Sequence, residues 1–204
     1  MNKVEVKFSE WIQKGCELFK QNAVVLILVH LIGGIIASCT VGVLSGPMMA
    51  GVILVTLALL DKKEPKPVIG DLFNGFNYFA QTFLFCLVVF VICIVLIVVS
   101  RFPCVGPIIS AFASVAVGAL LMFAMFLIVD RKMEFRSAIM ESVNMVKGNF
   151  WPFLGFGLVA HVIGSIGMAV CCVGIFVTMP ICTCILAVAY RDVFSGTSVQ
   201  TPGV

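Results

Sequence analysis

The two histidines are the side chains whose type and position suit them best for chemistry. His30 and His161 lie in the first and the fifth apolar segment of the sequence. If they met across a helix bundle, their imidazoles could bind a metal ion or a proton. A metal site normally needs three or four ligands, so the alternative is that each neutral imidazole hydrogen-bonds a neighbouring helix. The sequence therefore predicts no metal ion and no cofactor, and it keeps the pair as a candidate polar site within the membrane.

Cysteine is frequent, with 9 residues in 204, yet no pair has the CxxC spacing of metal ligands or of thioredoxin-like redox sites. Four cysteines are predicted to lie near the outer ends of apolar segments. These are Cys39, Cys104, Cys171 and Cys172. In an oxidising outer compartment one disulfide could form among them, and the sequence leaves the pairing open.

Cys39 also closes a short motif, Ile36-Ala37-Ser38-Cys39, that resembles the lipid-attachment site of bacterial lipoproteins. Cleavage before Cys39 would remove the first apolar segment. The first 22 residues carry three glutamates, unlike the short basic start of a signal peptide. We therefore expect the first apolar segment to remain in the protein.

The elements that would position these side chains are apolar helices. Hydrophobic residues make up 61% of the chain and charged residues 11%, whereas soluble domains carry about 25% charged residues. A charged side chain at the centre of a membrane helix costs about 2.5 to 3.5 kcal/mol, so tracts without charge mark the spans. Such tracts cover residues 21–60, 72–100, 102–129 and 148–190.

The lengths of these tracts predict six transmembrane helices. About 20 apolar residues cross the hydrocarbon core once, and the first and last tracts are long enough to cross it twice. The predicted helices are 23–43, 46–60, 82–100, 107–129, 150–172 and 173–190. The fold class is thus an all-α polytopic membrane protein, with residues 1–204 in a single membrane domain.

Basic residues predict the orientation of these helices, since Lys and Arg are retained on the cytoplasmic side of a membrane. Twelve of the 13 basic residues fall in segments that six spans would place on one side, and only Arg101 falls on the other. This predicts a multipass protein of the cell (inner) membrane with both termini in the cytoplasm. A large outer binding domain is excluded, because the outer loops would be very short.

An internal repeat organises the predicted helices. The amphipathic pattern of 8–19 recurs 127 residues later in 135–146, and Asn22 then corresponds to Asn149. A third pattern at helical spacing precedes the third predicted span and consists of Ile69, Leu72, Phe73, Phe76 and Ala80. Each pattern predicts an interfacial amphipathic helix followed by a transmembrane hairpin. The three units are residues 5–61, 68–130 and 134–192. The alternative is chance similarity, since any multipass protein has amphipathic linkers and glycine turns.

Four short stretches carry a resemblance to a known family. They are ESVNMVKGNFWPFLGF (141–156), Gly46-Pro47, LFNGF (72–76) and AYRDVF (189–194). In these stretches the chain resembles an uncharacterised family of bacterial multipass membrane proteins, which is itself similar to the membrane domain associated with glycerophosphodiester phosphodiesterases. The resemblance implies a six-helix membrane domain with no established activity. The phosphodiesterase activity is not carried over.

The sequence favours a membrane protein that does not catalyse a reaction. The four apolar tracts contain no Asp, Glu, Lys or Arg, which ion-driven pumps usually place near the midplane. The basic rim favours a scaffold, a lipid-interacting protein or a partner-binding module. Its expected partners are membrane lipids, further copies of the chain or another membrane protein, and not nucleic acid. The alternative is a transporter or channel for a small or lipid-like solute, which helices interrupted by glycine and proline favour.

Overall fold

The computed structural model describes residues 6–103, 105–169 and 174–195. Within these residues the chain is all-helical, as the apolar tracts predict, and it contains no strand. The helices are α1 (Phe8–Cys39), α2 (Ser45–Leu60), a 3-10 helix over Ile69–Tyr78 that we call the linking helix, α3 (Phe79–Ser100), α4 (Gly106–Leu121), α5 (Ala124–Asp130), α6 (Phe135–Gly148), α7 (Phe150–Ala169) and α8 (Ile175–Ser195).

Four helical segments are long and apolar enough to cross a membrane. They are Phe8–Cys39, Ile69–Ser100, Gly106–Asp130 and Phe176–Phe194. Two further apolar helical stretches, Ser45–Leu60 and the part Phe150–Ala160 of α7, are shorter than the roughly 20 residues that span the hydrocarbon core. The part of the chain that the structure describes thus supports a membrane protein with four candidate spans, and the count of six stays a prediction.

Helix α1 combines an amphipathic segment and an apolar segment, which meet at a kink at Asn22. The backbone of Asn22 leaves helical geometry (φ −130°, ψ 25°), and its side-chain amide donates a hydrogen bond to the Leu18 carbonyl at 3.2 Å. Asn149 has a similar conformation (φ −141°, ψ 55°) between α6 and α7. The apolar segments therefore begin directly after two asparagines that correspond in the predicted repeat.

The amphipathic segment of α1 packs its apolar face on the protein itself. Trp11 is 1% exposed, and its ring lies 5.2 Å from that of Phe156 and 6.4 Å from that of Phe153 in α7. Gly15 faces α8, where a Cβ added to it would lie 2.6 Å from Ile185 Cγ1. The face that the sequence assigns to the membrane interface is thus covered by α7 and α8.

The linking helix differs from the α-helix that its pattern predicts. A 3-10 helix has three residues per turn, so residues three apart share a face. Leu72 and Gly75 are buried against α2, whereas Phe73 and Phe76 are exposed by 50% and 39%. In the 3-10 helix Leu72 therefore lies on a different face from Phe73 and Phe76.

The short helix α5 lies in the hydrophobic core. The predicted span 107–129 is divided at Met122–Phe123 into α4 and α5, and each residue from Ala124 to Val129 is at most 4% exposed. A helix that is apolar on all sides is stable when protein surrounds it. The same core holds the aromatic side chains of Trp11, Phe123, Phe126, Phe153, Phe156, Tyr190 and Phe194.

Candidate functional site

Three helices end in charged residues that come together at one end of the molecule. Asp61 directly follows α2, Asp130 is the last residue of α5, and Arg191 lies near the end of α8. Each is the first charged residue after an apolar tract, because lipid excludes ionic side chains from the interior of a span. The exclusion of charge from lipid thus favours one end of the helix bundle for all three side chains. Arg191 contacts both carboxylates there.

Arg191 binds both carboxylates. Its Nε and Nη2 donate to Asp61 Oδ1 and Oδ2 at 3.1 and 2.6 Å. Its Nη1 and Nη2 donate to Asp130 Oδ2 and Oδ1 at 2.7 and 3.0 Å, and the Tyr190 hydroxyl donates to Asp130 Oδ2 at 2.9 Å. We call these four residues the ionic junction. Two-pronged contacts are the strong form of arginine–carboxylate pairing, and here they join α2, α5 and α8.

A cavity of about 160 Å³ lies beside the ionic junction. It is lined by Asp130, Arg131, Tyr190, Arg191 and Phe194. Arg131 donates from Nη2 to the Phe194 carbonyl at 3.0 Å, and its guanidinium carbon lies 5.3 Å from the centre of the Phe194 ring. Among the residues described, this is the one hydrogen bond that the Arg131 guanidinium donates, so most of its side-chain N–H donors are open to water or a ligand.

The charges at this end decide which ligand the cavity suits. Asp61 and Asp130 bring two negative charges to the single positive charge of Arg191. Arg131 balances the second negative charge, and within the described part of the chain no carboxylate pairs with it. Guanidinium groups bind phosphate-like oxyanions through paired N–H donors. Arg131 can therefore hold a small oxyanion while Arg191 stays on its carboxylates.

His30 joins α1 to α8 within the apolar part of the bundle. Its Nδ1 donates to the Leu26 carbonyl at 2.8 Å, since a carbonyl only accepts, and its Nε2 lies 3.1 Å from Thr183 Oγ1. The backbone of His161 lies in α7, and its side chain is outside the part that the structure describes. A meeting of His30 and His161 stays a prediction.

The predicted outer cysteines are described at one position. Cys39 is the last residue of α1 and is exposed. Cys104, Cys171 and Cys172 lie outside the described residues. The outer disulfide therefore stays a prediction, and so does the retention of the first apolar segment.

A comparison with protein families matches residues 4–185 to the family described as Sulfate transporter CysZ/Etoposide-induced protein 2.4. The chain belongs to this family. The matched range includes Asp61, Asp130 and Arg131 and ends before Arg191. Comparisons with curated proteins and with solved structures find no match.

Membership of the CysZ/Etoposide-induced protein 2.4 family bears on three expectations from the sequence. The family is membrane-associated and of the transporter type, and it is not a known enzyme family. It is compatible with the transporter alternative. The comparisons show no link to the membrane domain associated with glycerophosphodiester phosphodiesterases.

Sequence reasoning used Asp61, Asp130 and Arg191 to count and orient the spans, and Arg191 also lies in the AYRDVF stretch, but it did not predict that the three residues meet. A signal for the ionic junction was nevertheless present, because each of the three predicted units places a charged residue directly after its second apolar segment. Two of these residues are acidic and one is basic, and buried or half-buried charges require partners of opposite sign. In this member of the CysZ/Etoposide-induced protein 2.4 family, the ends of α2, α5 and α8 thus carry complementary charges.

Proposed function

We propose that this chain is a membrane transporter or channel for a small inorganic oxyanion, with sulfate as the first substrate to test. The observation that carries the proposal is the cavity of about 160 Å³ where α5 and α8 end, in which Arg131 presents N–H donors. The family supports the proposal, since its description names a sulfate transporter. The absence of ionic side chains from the four apolar tracts favours passive conduction over ion-driven pumping.

Arg131 receives the anion, and the ionic junction controls passage beyond it. The Phe194 ring, 5.3 Å from the Arg131 guanidinium carbon, orients that group. Arg191 becomes available to an anion only when Asp61 or Asp130 leaves it. An oxyanion that replaces one carboxylate loosens the contact between the helix ends. The exchange gives Arg191 one charge-assisted contact in place of another, and the displaced carboxylate turns to water, to which the Asp61 and Asp130 side chains are 29% and 23% exposed.

The architecture that we propose for this transporter has six spans in three hairpin units, 5–61, 68–130 and 134–192. The order of elements supports it, because an amphipathic segment precedes a pair of apolar helices three times. The matching kinks at Asn22 and Asn149 support a duplicated unit. The distribution of basic residues supports an inner-membrane protein whose termini are cytoplasmic.

Sulfate uptake by reconstituted protein tests the proposal. We expect the full-length chain in liposomes to take up radiolabelled sulfate faster than protein-free liposomes, with stronger competition from other tetrahedral oxyanions than from chloride. Arg131→Gln should raise the half-saturating sulfate concentration about tenfold or more, because a hydrogen bond to a charged group contributes about 1.5 to 3 kcal/mol. Arg136→Gln is the matched control, since Arg136 is exposed on α6 and does not line the cavity.

Two outcomes would overturn this assignment. One is sulfate uptake no faster than in protein-free liposomes. The other is equal loss of uptake in Arg131→Gln and Arg136→Gln, which would show that general surface charge and not the cavity attracts the anion. Arg131→Lys keeps the charge but not the paired donors, so an intermediate effect is expected.

A non-catalytic module that interacts with lipids or a partner protein is the second candidate function. The observation that favours it is a set of exposed aromatic side chains just before and at the start of the third predicted span, Phe73, Phe76, Phe79 and Phe83. Absence of uptake together with stable copurification of one membrane protein would favour this function over transport.

A further inference from the structure

A second cavity, of about 260 Å³, lies between the end of α2 and the linking helix and shares no residue with the cavity beside Arg131. Its apolar wall includes Val55 and Ala58 of α2, and its polar rim includes Lys63, Asn77 and Tyr78. Ligand sites typically combine an apolar wall with a few polar groups that orient the ligand. The composition of this cavity therefore suits a ligand with one polar, charged group.

The linking helix gives this cavity its shape, because a 3-10 helix has three distinct faces. Asp71, Asn74 and Asn77, spaced three apart, line the cavity. Leu72 and Gly75 form a second face, which is buried against α2. The cavity face is thus held in place by the buried face beside it.

The third face of the linking helix begins an exposed row of aromatic side chains. Phe73 and Phe76 stack with ring centres 6.4 Å apart, and the row continues into α3 with Phe79 and Phe83, whose ring centres lie 5.8 Å apart. All four side chains are at least 36% exposed. We call these four residues the aromatic stripe. The stripe lies where the apolar segment Ile69–Ser100 begins, so its phenyl rings are placed to contact lipid acyl chains.

Lys63 supplies the positive charge of this cavity, and Asp71, which also lines it, supplies a negative charge. Both oxygens of the Asp71 carboxylate accept hydrogen bonds from nearby residues. Oδ2 accepts from the Val68 N–H at 2.8 Å, and Oδ1 accepts from Asn74 Nδ2 at 3.2 Å. Lys63 forms no ion pair with any residue that the structure describes. The cavity therefore offers an ammonium group and the Asn77 amide to a ligand that carries negative charge and hydrogen-bond acceptors.

We infer that this cavity binds the phosphate group of an anionic phospholipid whose acyl chains lie along the aromatic stripe. The polar face and the aromatic face adjoin on the same short helix, so a single amphipathic molecule can occupy both. Inorganic phosphate would use Lys63 and Asn77 alone and would leave the aromatic stripe uncovered. The inference does not rest on oxyanion transport, because the two cavities share no residue.

Lipid binding to the purified full-length chain tests this site. The probe is phosphatidylglycerol added to protein in detergent, with phosphatidylcholine as the neutral reference, and bound lipid is counted by native mass spectrometry. Lys63→Gln should weaken phosphatidylglycerol binding about fivefold, which is what loss of about 1 kcal/mol from one basic residue corresponds to. Lys66→Gln is the matched control, because Lys66 lies in the same loop, is exposed and does not line the cavity.

The stripe and the source of the phosphate are tested in the same assay. Phe76→Ser should weaken phosphatidylglycerol binding, whereas inorganic phosphate and glycerol 3-phosphate should displace the lipid only at far higher concentration. Equal losses for Lys63→Gln and Lys66→Gln would overturn the site, since they would show general attraction to anionic lipid. Displacement by glycerol 3-phosphate at the concentration of the lipid itself would overturn the role of the acyl chains. Sulfate uptake should be unchanged in Lys63→Gln, which separates this inference from the transport proposal.

Discussion

Gly75 of the linking helix lies against Gly51 of α2, so closely that a Cβ added to Gly75 would stand 2.5 Å from the Gly51 amide nitrogen. A Cβ on Gly51 would in turn overlap the Leu72 carbonyl oxygen. The two backbones are therefore in direct contact, which only glycine permits. This contact fixes the linking helix on α2 and so holds the cavity that Lys63 lines.

Alanine at either glycine should destabilise the protein. Because the neighbouring atoms belong to the backbone and cannot rotate away, we expect Gly51→Ala and Gly75→Ala each to lower the free energy of unfolding by about 3 kcal/mol. Thermal unfolding of the detergent-solubilised chain measures the change. Gly70→Ala in the same helix is the control, since nothing lies within 4 Å of a Cβ at Gly70. An equal loss of thermal stability in Gly70→Ala would contradict the proposed contact.

The ionic junction should depend more on Asp130 than on Asp61. Asp130 accepts two hydrogen bonds from Arg191 and one from Tyr190, whereas Asp61 accepts two from Arg191. We expect Asp130→Asn to lower the free energy of unfolding by about 2 kcal/mol and Asp61→Asn by about 1 kcal/mol, because these side chains are only partly screened by solvent.

Thermal unfolding in detergent measures both variants of the ionic junction, with a loss of roughly 2 to 4 °C expected for each kcal/mol. Arg136→Gln is a suitable control because Arg136 is exposed. A double-mutant cycle that combines Asp130→Asn with Arg191→Gln should show coupling, since the two side chains contact each other. Additive effects of the two substitutions would count against the junction.

The number of spans can be measured by labelling single cysteines in a background without the native cysteines. Lys7→Cys, Lys66→Cys and Arg101→Cys sample three exposed positions. Six spans place positions 7 and 66 on the cytoplasmic side and position 101 outside. A membrane-impermeant maleimide added to intact cells should therefore label only Arg101→Cys. If α2 did not cross the membrane, positions 7 and 66 would instead lie on opposite sides.

The sequence was sufficient to predict those features of the fold that depend on the polarity of each side chain. The all-helical, membrane-associated class follows from the apolar tracts, because a charged side chain is costly in lipid whichever helices lie beside it. The apolar segments that begin after Asn22 and Asn149 were predictable for the same reason. The packing of the linking helix was not, because its buried face lies on the α2 backbone at Gly51 and Gly75, and spacing along the chain does not specify that contact.

By itself the amino-acid sequence determined that helices of this protein enter a membrane and where several of them begin and end. The physical reason is that the free energy of transferring a side chain from water to lipid depends on the type of that residue. Only the tertiary structure decided that Asp61 and Asp130 meet at Arg191, that Trp11 is covered by α7, and that the aromatic stripe stays exposed. These contacts depend on which helices become neighbours, and spacing along the chain does not specify that.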